Sequence, residues 1–396
     1  MTMKTLLTFN PGSSTVKIGL FALDDDGPVA TGRGIIDFRH DPLTFKLKDD
    51  RGSSETPLHA RSREDLTGIM AEMFAALGKH ATIGKVMVVG HRVVHGGDRF
   101  SGPVKLDDDV IHQIDALTPL APLHQPQSLR FIRAIRNVRP ELLQTASFDT
   151  AFHRTISPVV RHFAIPRALY DQGIKRYGFH GLSYQYLAEA LTRLAPACAS
   201  GKIVAAHLGS GASICGLDNG VSRDTSMSFS TLDGIPMATR CGALDPGVLL
   251  HLLKEGDGAI GKVEDMVYHR SGLLGVSGIS ADSRELLASK APEAREALDV
   301  FTLRTAGEIA RLATTIGGLD GLIFSAGIGE NQPEIRAGIC RRLEWLGIEL
   351  DPAANDENAK VISTAASRVS VFVIPTDEEA IIARESFAIL NRASNG

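Results

Sequence analysis

The sequence predicts an α/β fold made of two related halves, and three observations predict it. Apolar runs of strand length alternate with stretches of helical period along the 396 residues. Two strand-like runs near the N-terminus, "LLTF" and "VKIGLFAL", flank the small polar turn of "TFNPGSSTVK" (8–17). The same pattern returns 197 residues later, where "IVAAHLGSGASICGLD" (203–218) aligns with "LLTFNPGSSTVKIGLF" (6–21). Gly12 falls on Gly209, Ser13 on Ser210, Gly19 on Gly216 and Leu20 on Leu217. A duplication of this kind predicts two α/β domains, each opening on a hairpin whose turn faces a shared cleft, the usual place for a small ligand.

The elements follow in order. Residues 4–9 and 16–23 read as the first hairpin. Residues 63–79 read as a helix with Leu66, Ile69, Met70, Met73, Phe74 and Leu77 on one face and Ser62 as N-cap. "KVMVVG" (85–90) is a short buried strand ending in glycine, and "HQPQSLRFIRAIRNV" is helical with Pro126 in its first turn. "LLQTASF" is an apolar strand that delivers Asp149 at its end. "KIVAAHLGSGASICGLDNG" (202–220) is strand, turn, strand. "DGLIFSAGIGEN" (320–331) is a strand running into a glycine turn, with a helix after it, and "VFVIPTDEEAIIARESFAIL" closes the chain as strand and helix.

Bulk properties exclude several classes. With 43% hydrophobic and 22% charged residues the composition is that of a globular protein long enough for well-filled cores. A formal net charge of −4 gives no general attraction to nucleic acid or to an acidic membrane. No apolar run reaches the ~20 residues of a membrane helix, and "MTMKTLLTFNPG" lacks the features of a signal peptide. The four cysteines, Cys198, Cys215, Cys241 and Cys340, lie far apart with no C-x-x-C pair, which fits a reducing cytoplasm.

The two turns carry the chemistry. A short Gly/Ser turn exposes backbone N–H groups and hydroxyls that can surround phosphate oxygens, and Lys17 adds a cation. Asn10 offers an amide oxygen to a metal or a metal-bound water. Two other stretches are decoys. "GDGAIGKV" (256–263) approaches the P-loop pattern, but Val263 stands where a hydroxyl residue is needed, and "LLHLLKEG" before it is helical; the stretch reads as a helix end and loop. His91 and His95 of "HRVVH" lie on an extended run, so their spacing makes no zinc site.

With these residues in hand, the chain resembles the acetate kinase family. The likeness runs through "NPGSSTVK" (10–17), "GHRVVHGG" (90–97), "LAPLHQP" (120–126), "FDTAFH" (148–153), "RYGFHGLS" (176–183), "HLGSGAS" (207–213), "DTSMSF" (224–229), "ATRCGALDPG" (238–247), "AGIGEN" (326–331) and "PTDEEAIIARE" (375–385), in that order. It implies the duplicated ribonuclease-H-like fold of the actin/Hsp70/sugar-kinase superfamily with a central nucleotide cleft. It implies an N-terminal α/β domain over 1–150, joined by a C-terminal helix 378–396, and a nucleotide-binding domain over 151–377. The implied activity is reversible transfer of the ATP γ-phosphoryl group to a short-chain carboxylate, acetate first and propionate next, with Mg²⁺ (or Mn²⁺) as cofactor. The family also implies a cytoplasmic homodimer.

The resemblance carries roles onto this chain. Asn10 and Glu378 serve the metal, and Lys17 lies near the ATP phosphates. Arg92 and Arg240 hold the substrate carboxylate and the migrating phosphoryl group, Asp149 is the essential acid, and His180 stabilises the transition state. His207, Leu208, Gly209, Ser210 and Gly211 face the phosphates. Asp282, Ser283 and Arg284, with Gly327, Ile328, Gly329, Glu330 and Asn331, hold adenosine. Val94, Leu123 and Phe179 line a pocket for the alkyl group. Ser210 stands where the family commonly has Asn, Thr231 where it has Pro and Ala238 where it has Gly.

The charges of such a reaction explain this choice of residues. A carboxylic acid with a pKa of roughly 4 is already ionised at pH 7, so no base is needed to make the nucleophile. The difficulty is bringing two anions together in line, which calls for arginines, a metal and a histidine donor. Asp149 is then expected to position an arginine or a metal-bound water. A sugar or glycerol kinase would instead need a true base, and an Hsp70-like binding protein would need a peptide-binding domain after the "TDEEAIIARE" helix, where this chain stops.

Overall fold

A computed structural model describes residues 4–12, 15–60, 64–80 and 83–394. The chain divides into two compact units, Met1–Phe152 with Asp377–Gly396, and His153–Thr376.

The first unit is built on an eight-stranded sheet in the order β5-β4-β3-β2-β1-β6-β8-β7. Its strands are β1 (Lys4–Pro11), β2 (Thr15–Leu23), β3 (Pro28–Asp37), β4 (Thr44–Asp49), β5 (Gly52–Pro57), β6 (Lys85–Val93), β7 (Val104–Lys105) and β8 (Leu143–Phe148). The hairpin β1–β2 is antiparallel, while β1–β6 and β6–β8 are parallel. β1 is buried on both faces, which is why "LLTF" reads as a continuous apolar run rather than an alternation. Leu7 and Phe9 point into a core completed by Ile69, Met70 and Met73 of the helix Leu66–Gly78 and by Phe131 and Ile135 of the helix Gln125–Val138. Leu6 and Val88 point the other way, onto Ala383 of the C-terminal helix Glu378–Ser394.

That helix corrects one expectation. β6 does not end at Gly90 but continues to Val93. A side chain at position 90 would collide with Ser386 and Ile382, so glycine there admits the C-terminal helix instead of ending the strand. The first helix begins at Leu66 with Asp65 as its N-cap, whose Oδ1 accepts from the Gly68 N–H at 2.9 Å; Ser62, the expected cap, lies outside the described residues.

The second unit carries a five-stranded sheet, β11-β10-β9-β12-β13. Its strands are β9 (Lys202–Leu208), β10 (Ala212–Asp218), β11 (Val221–Thr225), β12 (Gly321–Ser325) and β13 (Ser370–Val373). Again the opening hairpin is antiparallel and the next two neighbours are parallel. The order β3-β2-β1-β6-β8 is thus repeated as β11-β10-β9-β12-β13 with the same strand directions. The helices Pro292–Ile316 and Gly181–Leu194 pack on this sheet.

The duplication is looser than the sequence offset suggests. Pro11 pairs with Val16, whereas Leu208 pairs with Ala212, so the closing pair of the first hairpin spans one residue more than that of the second. The constant offset therefore holds on the first strand of each hairpin and slips by one on the second. Gly19 and Gly216 match in letters but not in pairing position: Gly19 faces Thr8, while Gly216 faces Val204. Ser13 lies outside the described residues.

Two further expectations change. "AGIGEN" is not a glycine turn but a helix, Ala326–Asn331, entered directly from β12. "GDGAIGKV" starts just past helix Pro246–Glu255, turns over residues 256–259 as the expected loop, and its last four residues open a second helix, Ile260–His269. No described helix is long and apolar enough to cross a membrane.

Candidate active site

In the first unit the parallel register gathers functional groups at the C-terminal ends of neighbouring strands. Phe9 faces His91, so Asn10 and Arg92 stand side by side one residue further on. Arg92 faces Ser147, so Asp149 emerges just beyond the end of β8. Arg92 Nε donates to Asp149 Oδ1 at 2.8 Å and Nη2 to Oδ2 at 2.6 Å, while Nη1 donates to Asn10 Oδ1 at 3.1 Å. Asn10 Nδ2 then donates to Glu378 Oε2 at 2.7 Å and to Glu379 Oε1 at 2.9 Å. Lys17 is the β-hairpin partner of Asn10.

This chain of groups is strongly polarised. Burial disfavours the Arg92 charge, but Asp149 and Glu378 outweigh it and hold the guanidinium firmly protonated. Glu379 is pushed above the ordinary carboxylate range by burial and by the adjacent Glu378, with Lys17 and Asn10 pulling back. Glu379 was missed in the sequence; the only signal was the doubled acid of "DEE". Among the expected acyl-pocket residues of this unit, Val94 is buried and Leu123 is 45% exposed.

The second unit assembles a separate cluster around the turn Gly209–Gly211. His180 caps the helix Gly181–Leu194 in the left-handed region, φ 56°, a costly conformation for a residue with a side chain. Its ring stacks on His207 with centroids 4.4 Å apart. His180 Nδ1 is 2.8 Å from Ser213 Oγ, and His207 Nδ1 is 2.8 Å from Ser183 Oγ. A Cβ added to Gly211 would lie 3.6 Å from Arg240 Nη1 and 3.8 Å from His180 Nε2; one on Gly209 would lie 3.6 Å from His207 Nε2. Both histidines and Arg240 thus border the glycine turn. Phe179 is fully buried, its carbonyl accepting from His153 Nε2 at 2.9 Å. Gly178 beside it has φ 91° and presses on the His153 ring, where no side chain fits.

Arg240 differs from Arg92 in one decisive respect. Its Nη1 donates to the Thr231 carbonyl at 3.0 Å, and among the described residues it meets no carboxylate. Burial pushes its pKa down, the mark of a cation with too little compensation. Thr231 holds the guanidinium through its backbone carbonyl, a contact proline in its place would retain.

A cavity of about 550 Å³ opens beside the turn, lined by Gly209, Ser210, Ala238, Asp282, Ser283, Arg284, Gly327, Ile328 and Asn331. Leu208, Gly211, Gly329 and Glu330 are not in its wall. Glu330 turns its Oε1 onto the N–H groups of Ala326 (2.7 Å) and Thr376 (3.3 Å), capping its own helix. Asp282 grips Arg284 through both oxygens and stays below the usual carboxylate range because of that hydrogen-bonded pair. Two supporting residues were not legible in the sequence. Gln332 donates to Ser283 Oγ at 2.7 Å and so joins the two cavity walls. Arg336, fully buried, donates to the Gly329 carbonyl at 2.9 Å, Asn355 Oδ1 at 2.8 Å and Asn358 Oδ1 at 2.7 Å.

Comparison with known proteins agrees over the whole length. Residues 5–384 match the model of the Acetokinase family. The chain is 43% identical to an acetate kinase of Methylocella silvestris, with 98% of each chain covered. It is 45% identical to an acetate kinase of Rhodopseudomonas palustris, with 96% of each covered. Among solved structures it resembles acetate kinase of Porphyromonas gingivalis (TM-score 0.86, 32% identity, 98% and 100% covered) and a propionate kinase of Francisella tularensis (TM-score 0.87, 33% identity, 98% and 99% covered).

Proposed function

Because the chain belongs to the acetokinase family, we propose that Arg92 and Arg240 serve one transferring phosphoryl group. The chain has the fold of acetate and propionate kinases and is a phosphotransferase with a carboxyl acceptor, its activity that of an acetate kinase with ATP as co-substrate. In our reading the transfer is direct and in line. The observation that carries it is Arg240, a guanidinium bordering a glycine turn with a carbonyl for a partner and no described carboxylate. Such a cation is ready for an anion.

The attacking carboxylate and the nucleotide are both negative, so the protein's task is charge neutralisation and alignment. Arg240 and the histidines at the turn supply donors to the phosphoryl oxygens. Arg92 is held in a fixed plane by Asp149, which positions the guanidinium and takes no proton. The cavity beside Ser210 and Asp282 suits adenosine, and Val94, Leu123 and Phe179 set the acyl length, acetate before propionate.

Among the described residues no group of three or more His, Cys, Asp or Glu gathers as a metal cluster. Magnesium suits the site nonetheless, because it keeps waters and takes few protein ligands. Glu378 would hold it, with Asn10 steering the carboxylate and Glu379 beside it. There it would neutralise the nucleotide phosphates.

We place the enzyme in the cytoplasm, in keeping with its four free cysteines. We also propose a homodimer, supported by the exposed Leu244, Val276 and Leu303 around a second cavity of about 730 Å³; sedimentation as a monomer at micromolar concentration would oppose it. The function is tested by trapping acyl phosphate as hydroxamate with acetate, propionate, butyrate and glycerol as acceptors. Acetate is expected to lead; ATP consumption with glycerol alone, or with none, sinks the reading.

A further inference from the structure

The stacked pair His180 and His207 is backed by two short chains of hydroxyls whose proton directions can be worked out. Tyr184 is fully buried and its hydroxyl lies 2.5 Å from Ser213 Oγ. Among the described residues Ser213 is the one side-chain partner for the phenol proton. Leaving a buried hydroxyl proton unpaired is unfavourable, so Tyr184 donates to Ser213. Ser213 then has its own proton for the remaining neighbour, His180 Nδ1.

The second chain reads the same way. Thr376 Oγ1 donates to Ser183 Oγ at 2.9 Å, and Ser183 lies 2.8 Å from His207 Nδ1. Ser183 accepts from the threonine and gives its proton to the ring. In both histidines Nδ1 is an acceptor, so the ring is neutral and its proton sits on Nε2. Both Nε2 atoms are the ones nearest the glycine turn.

We propose that Ser213 with Tyr184, and Ser183 with Thr376, are positioning residues that lock His180 and His207 as neutral Nε2–H tautomers, giving the turn Gly209–Gly211 two side-by-side donors for phosphate oxygens. The purpose, though not the tautomers, rests on the phosphoryl-transfer reading above. The arrangement gives hydrogen-bond donors without stacking two positive rings next to Arg240. It also explains why His180 is held in a left-handed conformation: the ring must reach Ser213 with one nitrogen and face the turn with the other.

Nitrogen-15 spectra of the histidine-labelled enzyme at pH 7.5, assigned with His180→Gln and His207→Gln, test this. Both rings should show an unprotonated Nδ1 and a protonated Nε2. In Ser213→Ala the His180 signals should move to a mixture of tautomers while those of His207 stay. kcat should fall about tenfold or more, with ADP affinity changed less than threefold. Ser213→Thr, which keeps the hydroxyl, should restore both tautomer and rate, and Tyr184→Phe should show a partial version of the same loss. Nδ1–H on either wild-type ring overturns the proposal, as does a Ser213→Ala enzyme with unchanged His180 signals. If the wild-type tautomers are as assigned but no acyl phosphate is made from acetate, the functional reading fails and the tautomer assignment stands.

Discussion

Asp149 holds Arg92 by both carboxylate oxygens, 2.8 Å to Nε and 2.6 Å to Nη2, with the acid 1% exposed. A carboxylate engaged in this way is a poor base, because a proton on it would break the pair. Neither direction of a carboxylate-to-phosphate transfer needs a base, since the attacking group is anionic in both. We therefore propose that Asp149 serves to aim a cation.

Asp149→Asn should lower kcat about 10²-fold or more by loosening Arg92, and by a similar factor in the forward and reverse directions. Initial rates of acyl phosphate formation and of ATP formation measure this. A loss confined to one direction would restore a proton-transfer role.

Asn10 joins the Arg92 pair to the two adjacent acids, donating to Glu378 and Glu379 together. Glu378→Gln should raise the Mg²⁺ concentration for half-maximal rate by about tenfold or more, since magnesium is held through one or two carboxylates. Glu379→Gln should lower kcat with a smaller change in that concentration. A magnesium titration at saturating nucleotide checks both, and an unchanged requirement in Glu378→Gln would remove it from the metal.

Arg336 is a buried cation that ties the Gly329 carbonyl to Asn355 and Asn358. Arg336→Ala should raise the KM for ATP several-fold more than that for acetate, because the helix Ala326–Asn331 lines the cavity we propose for adenosine. It should also cost about 3 kcal/mol of stability, since it leaves several buried acceptors unpaired. Equal changes in the two KM values would show that the effect is only loss of fold.

Three buried histidines make stability depend on pH. Burial lowers His91, His95 and His153 to about 4 each, with the Gln144 amide and the Phe179 carbonyl opposing it only in part at His91 and His153. In the unfolded chain they titrate near 6.5. Their contribution is complete above about pH 6.5 and is lost as pH falls toward 4, because the unfolded state then binds protons that the folded state refuses. Each contributes a slope of about 1.4 kcal/mol per pH unit. Thermal midpoints between pH 7.5 and 5 should fall, and the His153→Gln variant should fall less steeply. An equal slope in the variant would contradict the assignment.

Much of this molecule was legible in its sequence, for identifiable reasons. β1, β6 and β8 are buried on both faces, so their apolar runs stand out, and Asn10, Arg92 and Asp149 follow where those runs end. β3 to β5 were invisible because they are half-exposed, rich in Gly, Ser, Asp and Lys, and carry no apolar run. The helix Pro292–Ile316 was missed because much of its buried face is Ala and Thr. "AGIGEN" passed for a turn because two glycines outweigh a helix that is capped by its own Glu330. Ser213 and Tyr184 gave no signal at all: their role arises from contacts to His180 and to each other across about 30 residues of chain.

The central claim is that Arg92 and Arg240 act on the same phosphoryl group, and a double-mutant cycle tests it most directly. Acyl phosphate formation from acetate would be measured for Arg92→Ala, Arg240→Ala and the pair together. Each single change should lower kcat about 10²-fold or more, and the double should fall well short of the product of the two. Full multiplicativity, or near-normal turnover in either single variant, would contradict the account.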